Sequence, residues 1–125
     1  MNEIANQNKS EFYVEIIIKG KGGHSSTPHK TRNPIIIGFE IINAINANLA
    51  YQFDSFHDFT LVPTAFEAGT KENIIPEEAK ITYRGVFVNS SYSEMLYMMI
   101  SKTSETIGLL YDAAVQISFK ILSVY

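Results

Sequence analysis

Phe12, Val14, Ile16 and Ile18 alternate with Tyr13, Glu15 and Lys19, the period of a strand that buries one face. Gly20 to Arg32 collects glycine, serine, threonine, proline and lysine, and reads as a long loop. Asn33-Pro34 opens a helix, because asparagine is a good N-cap and proline suits the first helical position. Ile35, Phe39, Ile42, Ile45 and Leu49 then fall on one helical face, Ile37 and Ile41 widen it, and Glu40, Asn43 and Ala47 lie opposite. So broad an apolar surface predicts two buried sides, one on the helix's own sheet and one on something else.

A second strand is expected over Thr60 to Ala68, with Pro63 marking it as a sheet edge because proline cannot donate to a ladder. Gly69 to Asn73 is a turn. Lys80 to Val88 reads as a third strand, with Ile81, Tyr83 and Phe87 on one face and Thr82 and Arg84 on the other. Ser91-x-x-Glu94 has the spacing of a capping box, and Tyr92, Leu96, Met99 and Leu110 give the second helix its apolar face. Val115, Ile117, Phe119 and Ile121 alternate with Gln116, Ser118 and Lys120 in a last strand. The order βαββαβ predicts an α+β domain of the ferredoxin-like kind, a four-stranded antiparallel sheet with both helices on one face. Such a fold licenses no function by itself. The polar stretch MNEIANQNKS reads as a disordered lead-in over residues 1–10, leaving 11–125 as one domain.

Composition narrows the chemistry. A net charge of -3 gives no basic footprint for nucleic acid. The chain has no cysteine, which removes disulfides, thiolate catalysis and cysteine-ligated zinc, and fits a reducing cytoplasm. No apolar run approaches the roughly 20 residues of a membrane span, and the first ten residues hold no apolar core of a signal peptide, so no membrane partner is expected.

Of the three histidines His24, His29 and His57, none pairs at helical i, i+4 spacing or at alternate strand positions, so a complete metal site is not expected. Ser25 and Ser26 lack the strand-turn-helix elbow of a nucleophile, and bracing the loop is the better reading of their hydroxyls. Gly20-Lys21-Gly22-Gly23-His24-Ser25-Ser26-Thr27 fails as a phosphate loop, because its lysine comes too early and no helix begins until Asn33. Two glycine-bearing turns remain: Gly22-Gly23-His24 after the first strand, and Gly69-Thr70-x-x-Asn73-Ile74-Ile75-Pro76 between the second and third. Plain turns and a polar binding site explain them equally well.

At these residues the chain resembles a known family. Lys19-Gly20-Lys21-Gly22-Gly23-His24-Ser25-Ser26-Thr27-Pro28-His29, followed by Asn33-Pro34-Ile35, is similar to the first signature of bacterial exopeptidase dimerisation (lid) domains. Gly69-Thr70-Lys71-Glu72-Asn73-Ile74-Ile75-Pro76 is similar to the second. The resemblance runs from about Phe12 to Phe119 and is strongest to the aminoacylase and hippurate-hydrolase branch of N-acyl-amino-acid amidohydrolases.

The resemblance implies a parent hydrolase of N-acyl amino acids or small peptides, with two divalent metal ions, usually zinc, in a separate catalytic domain. It implies a homodimer paired through the first helix and the edge strand. His24 would reach the partner subunit's active site and stabilise the oxyanion, and Asn73 would hydrogen-bond substrate there. The lid domain alone would be inactive. His29 matches a less specific position. The arginine that usually grips the substrate carboxylate is replaced by Val86, while Arg84 lies two residues earlier on the same strand face, either as its substitute or as a surface charge. A different class also accommodates these elements: a stand-alone ferredoxin-like regulatory module that binds a small effector at a dimer interface.

Overall fold

Residues 9–53, 59–88 and 91–124 are described by the computed structural model; His57 lies outside them. The chain runs β1 (Ser10–Lys19), β2 (Gly23–His24), a 3-10 turn (Pro28–Lys30), α1 (Pro34–Gln52), β3 (Phe59–Ala68), β4 (Ile74–Ile75), β5 (Glu78–Phe87), α2 (Ser91–Leu110) and β6 (Ala114–Val124). The four long strands form one antiparallel sheet in the order β3-β5-β1-β6, and β2 pairs with β4 in a separate two-stranded ladder. With both helices over one face, this is the α+β, ferredoxin-like arrangement that the element order predicts.

Alternation puts Phe12, Val14, Ile16 and Ile18 of central β1 wholly out of water, beside Ile81, Tyr83 and Phe87 of β5. Ile37, Ile41 and Ile45 of α1 and Leu96, Met99 and Ile100 of α2 close the core from above. Phe12 stacks on Phe119 at 5.0 Å and tilts against Phe87 at 5.3 Å. Each of these side chains contributes about 1.5–3 kcal/mol by leaving water. Burial pushes the Tyr83 hydroxyl up to about 12. The other sheet face is polar. Lys80 there lies 3.5 Å from both Glu15 and Glu67, whose charges, Glu15 foremost, hold its ammonium above the usual lysine range.

Pro63 sits on edge strand β3, as its missing N–H requires, and a register shift follows between Pro63 and Ala65. Asn33 caps α1 by accepting the Ile35 N–H at 3.0 Å, with Pro34 at the first helical position.

The buried stripe of α1 is centred on the residues that widen the expected face, with Ile45 shared and Ile42 and Leu49 packed at its margin. Pro34, Ile37, Gly38, Ile41 and Ile45 face the core, while Phe39 is 57% and Ile36 50% exposed. Gly38 lets the helix approach β3 closely: a Cβ there would stand 2.6 Å from the Phe66 ring. In α2 the core stripe is Leu96, Met99, Ile100, Ser104 and Gly108, and Leu110 is exposed instead of buried. The second helix is described from Ser91, with Glu94 in its first turn. By length and composition alone α1 is apolar enough to cross a membrane, although the sequence shows no unbroken apolar run of that length. In this fold that apolarity serves the core on one side, through Ile37, Ile41 and Ile45.

Candidate functional site

The loop after β1 and the turn after β3 meet at the end of the sheet where β1 finishes and β5 begins. Gly69 starts the turn with φ 77°, in the left-handed region that glycine tolerates without strain. The turn swings back so that Gly23 pairs with Ile75 and His24 with Ile74. Their contact is tight because Gly22 carries no side chain: a Cβ there would lie 2.4 Å from the Ile75 carbonyl oxygen and 2.9 Å from the Pro76 carbonyl carbon. Beyond the ladder, the Ser25 N–H donates to the Asn73 carbonyl at 3.0 Å, and on the other side the Gly20 N–H donates to Glu77 at 2.9 Å. Two turns separated by about fifty residues of chain are therefore one structure. His24 and Asn73 sit on its rim, both exposed.

The His24 ring is held from its own loop. Its Nδ1 accepts the Ser26 backbone N–H at 3.1 Å and lies 2.7 Å from the Ser26 hydroxyl. The Thr27 N–H donates to the His24 carbonyl at 3.1 Å, and an isolated bridge between Lys21 and Arg32 closes the loop at its base. The expectation that the serine hydroxyls brace the loop holds for Ser26. A shallow hollow lies alongside, lined among others by Ser25, Asn33, Thr70, Lys71 and Ile74.

Other candidates fall elsewhere. His29 is in the exposed 3-10 turn Pro28–Lys30. Arg84 pairs with Tyr13 across β1 and β5, six residues along β5 from Glu78, which pairs with Lys19. At strand rise that is about 20 Å from the end that carries His24. Its guanidinium stands 3.9 Å from Glu11. The fold thus brings His24 and Asn73 together and leaves Arg84 and Val86 near the opposite end. Among the described residues no three of histidine, aspartate and glutamate gather as a metal-ligand set.

Sequence comparison decides the family. The model of the peptidase dimerisation domain matches residues 6–96. The chain belongs to the peptidase dimerisation domain family. It is 37% identical over 107 residues to thermostable carboxypeptidase 1 of Saccharolobus solfataricus, covering 84% of this chain and 27% of that protein. It is 30% identical over 74 residues to the N-acetyldiaminopimelate deacetylase of Brevibacillus brevis, covering 59% of this chain and 19% of the relative. The chain thus spans about a quarter, or less, of the hydrolases it matches. In fold, it superimposes with a TM-score of 0.82 on a hydantoinase/carbamoylase family amidase from Burkholderia ambifaria, at 7% identity, over 94% of this chain and 29% of that one. The aminopeptidase PepT of Bacillus cereus gives 0.75 at 20% identity, over 94% and 31%. His24 and Asn73 both lie within the residues that the family model matches.

Proposed function

We propose that this chain is the dimerisation and lid domain of a metal-dependent hydrolase that cleaves the amide bond of N-acyl amino acids or small peptides. The observation that carries it is the joining of the two signature turns, which puts His24 and Asn73 on one rim. In this reading His24 donates a hydrogen bond to the oxyanion that develops on the scissile carbonyl, and Asn73 binds the substrate's polar groups. A donor fixed before the reaction begins needs no reorganisation when charge appears, which is where such contacts gain their strength. The two divalent ions implied by the resemblance, zinc for preference, would be held by the remainder of the parent. The domain alone would then be inactive, and the parent cytoplasmic.

Two features support lid and dimer roles. Ser10 of β1 and Val124 of β6 are register partners, so both strands leave the sheet side by side at the end away from His24. That suits a domain carried on two adjacent connections, with the rim at the far end of strands about 30 Å long. Beside β3, one of the two edge strands of the four-stranded sheet, α1 exposes Ile36 and Phe39, and the Phe39 ring leans on Phe66 of β3 at 5.6 Å. Val62 of the same edge is 53% exposed. A second copy related by a two-fold axis would cover helix face and strand edge together, and His24 would act in the partner's site. Arg84 has its geometric support as a partner of Glu11 rather than as a member of the rim.

The test is steady-state kinetics of the full-length parent on N-acyl amino acids. Replacing His24 by alanine is expected to cost about 10²–10³ in kcat. Mixing that variant with one disabled in its catalytic domain should restore activity, since heterodimers contain one complete site. Unchanged kcat in His24→Ala sinks the oxyanion role, and failure of the mixture to recover sinks action in trans.

A further inference from the structure

The bond between Ser26 and Nδ1 of His24 fixes more than the position of a loop. A neutral imidazole has one N–H donor and one acceptor nitrogen, and the neighbours decide which is which. A backbone N–H can only donate. The Ser26 amide, 3.1 Å from Nδ1, therefore requires that Nδ1 present its lone pair. The ring's single proton then resides on Nε2. Ser26 Oγ at 2.7 Å is placed to donate into the same lone pair.

The backbone on which this rests is itself fastened. His24 is paired with Ile74, the adjacent Ser25 N–H is bound to the Asn73 carbonyl, and the Thr27 N–H returns to the His24 carbonyl. Residues 24 to 27 thus have three consecutive backbone N–H groups committed, at Ser25, Ser26 and Thr27, and only that of Ser26 is spent on a side chain. That side chain is the one placed at the rim.

We infer that Ser26 is a positioning residue for His24, holding the ring as the Nε2–H tautomer so that the site offers a neutral hydrogen-bond donor. The inference rests on the oxyanion reading of His24 given above. It also specifies that reading. With Nδ1 occupied, His24 acts neither as a general base through that atom nor as a metal ligand through it. What it can present to substrate is the Nε2–H, a donor that suits the negative oxygen of a tetrahedral intermediate.

The experiment has two arms. In the chain itself, labelled with ¹⁵N and kept at a pH where the ring is neutral, imidazole nitrogen shifts report the tautomer. A scalar coupling from the Ser26 amide nitrogen to His24 Nδ1 reports the hydrogen bond directly. The expected result is one tautomer, Nε2–H, with a measurable coupling that persists in Ser26→Ala, which keeps the amide. A mixture of tautomers, or no coupling, overturns the inference. In the full-length parent, Ser26→Ala removes only the hydroxyl donor. It should lower kcat by about 3- to 10-fold with KM little changed, the scale of one modest hydrogen bond. Loss of activity in His24→Ala but none in Ser26→Ala overturns the hydroxyl's share in the positioning, leaving it to the amide alone, and spares the oxyanion role. No loss in His24→Ala overturns the reading beneath, whatever the tautomer proves to be.

Discussion

Replacing Gly22 by alanine tests whether the meeting of the two turns depends on the close approach of their backbones. The added Cβ would sit 2.4 Å from the Ile75 carbonyl oxygen and 2.9 Å from the Pro76 carbonyl carbon. Both obstacles are backbone, so no side-chain rotation relieves them. Restoring even the shortest tolerated separation, 3.0 Å, means parting the strands by about 0.6 Å. The flanking bonds from Gly20 to Glu77 and from Ser25 to Asn73, now 2.9 and 3.0 Å, would stretch to the limit of useful hydrogen bonding. Overpacking of this kind costs about 1–3 kcal/mol and each of the two weakened bonds about 1 kcal/mol, for a total near 3–5 kcal/mol. A domain's whole stability is about 5–15 kcal/mol. Local opening of the ladder is therefore cheaper than unfolding, and the strain should be relieved there. Hydrogen exchange followed by NMR is the assay. The Ser25 amide should lose protection by about 30-fold or more, while the amides of Val14 and Ile16 in central β1 keep theirs. The reasoning fails if Ser25 keeps its protection, or if the core strands lose theirs in equal measure.

Three further outcomes are expected. Tyr83, pushed up to about 12 by burial from its ordinary 10.0, binds its proton more tightly folded than unfolded, so its contribution to stability is complete below pH 10 and lost as pH rises towards 12. Over that window the urea midpoint of the wild type should fall by the equivalent of about 2–3 kcal/mol more than that of Tyr83→Phe; parallel curves would refute the assignment. Ile36→Asp, at an outward position of α1 that is 50% exposed, should weaken self-association in sedimentation equilibrium by about 100-fold, because the interface would bury an unpaired charge; an unchanged dimer would place the contact elsewhere. Asn33→Ala removes the acceptor that caps α1 at 3.0 Å and should cost about 1 kcal/mol in chemical denaturation, whereas no loss would mean that Pro34 and packing suffice to start the helix.

The strands were readable because period-two alternation commits every second residue to one face, and β1 and β5, as the central strands, show it without interruption. The orientation of α1 was not. Apolar residues occupy Ile35, Ile36, Ile37, Phe39, Ile41, Ile42 and Ile45, nearly all around the helix, so local pattern could not select the core stripe. The stripe chosen by the fold includes Gly38, whose contribution is the absence of a side chain, and apolar periodicity does not register an absence. Leu110 fits the apolar spacing of α2 but stands in its final turn, where it is 73% exposed.

The site divides along the same line. Bonds within the loop, such as Ser26 to His24, span two residues and follow from local chemistry. The joining of His24 to Asn73 spans about fifty residues and exists only because the β3 to β5 turn folds back on the loop after β1. Arg84 shows the converse. Its strand face was legible, but its distance from His24 depends on register: β5 runs antiparallel to β1, so each residue beyond Glu78 moves away from the rim by about 3.4 Å. A residue at that far end cannot share a single substrate carboxylate with His24 of the same copy.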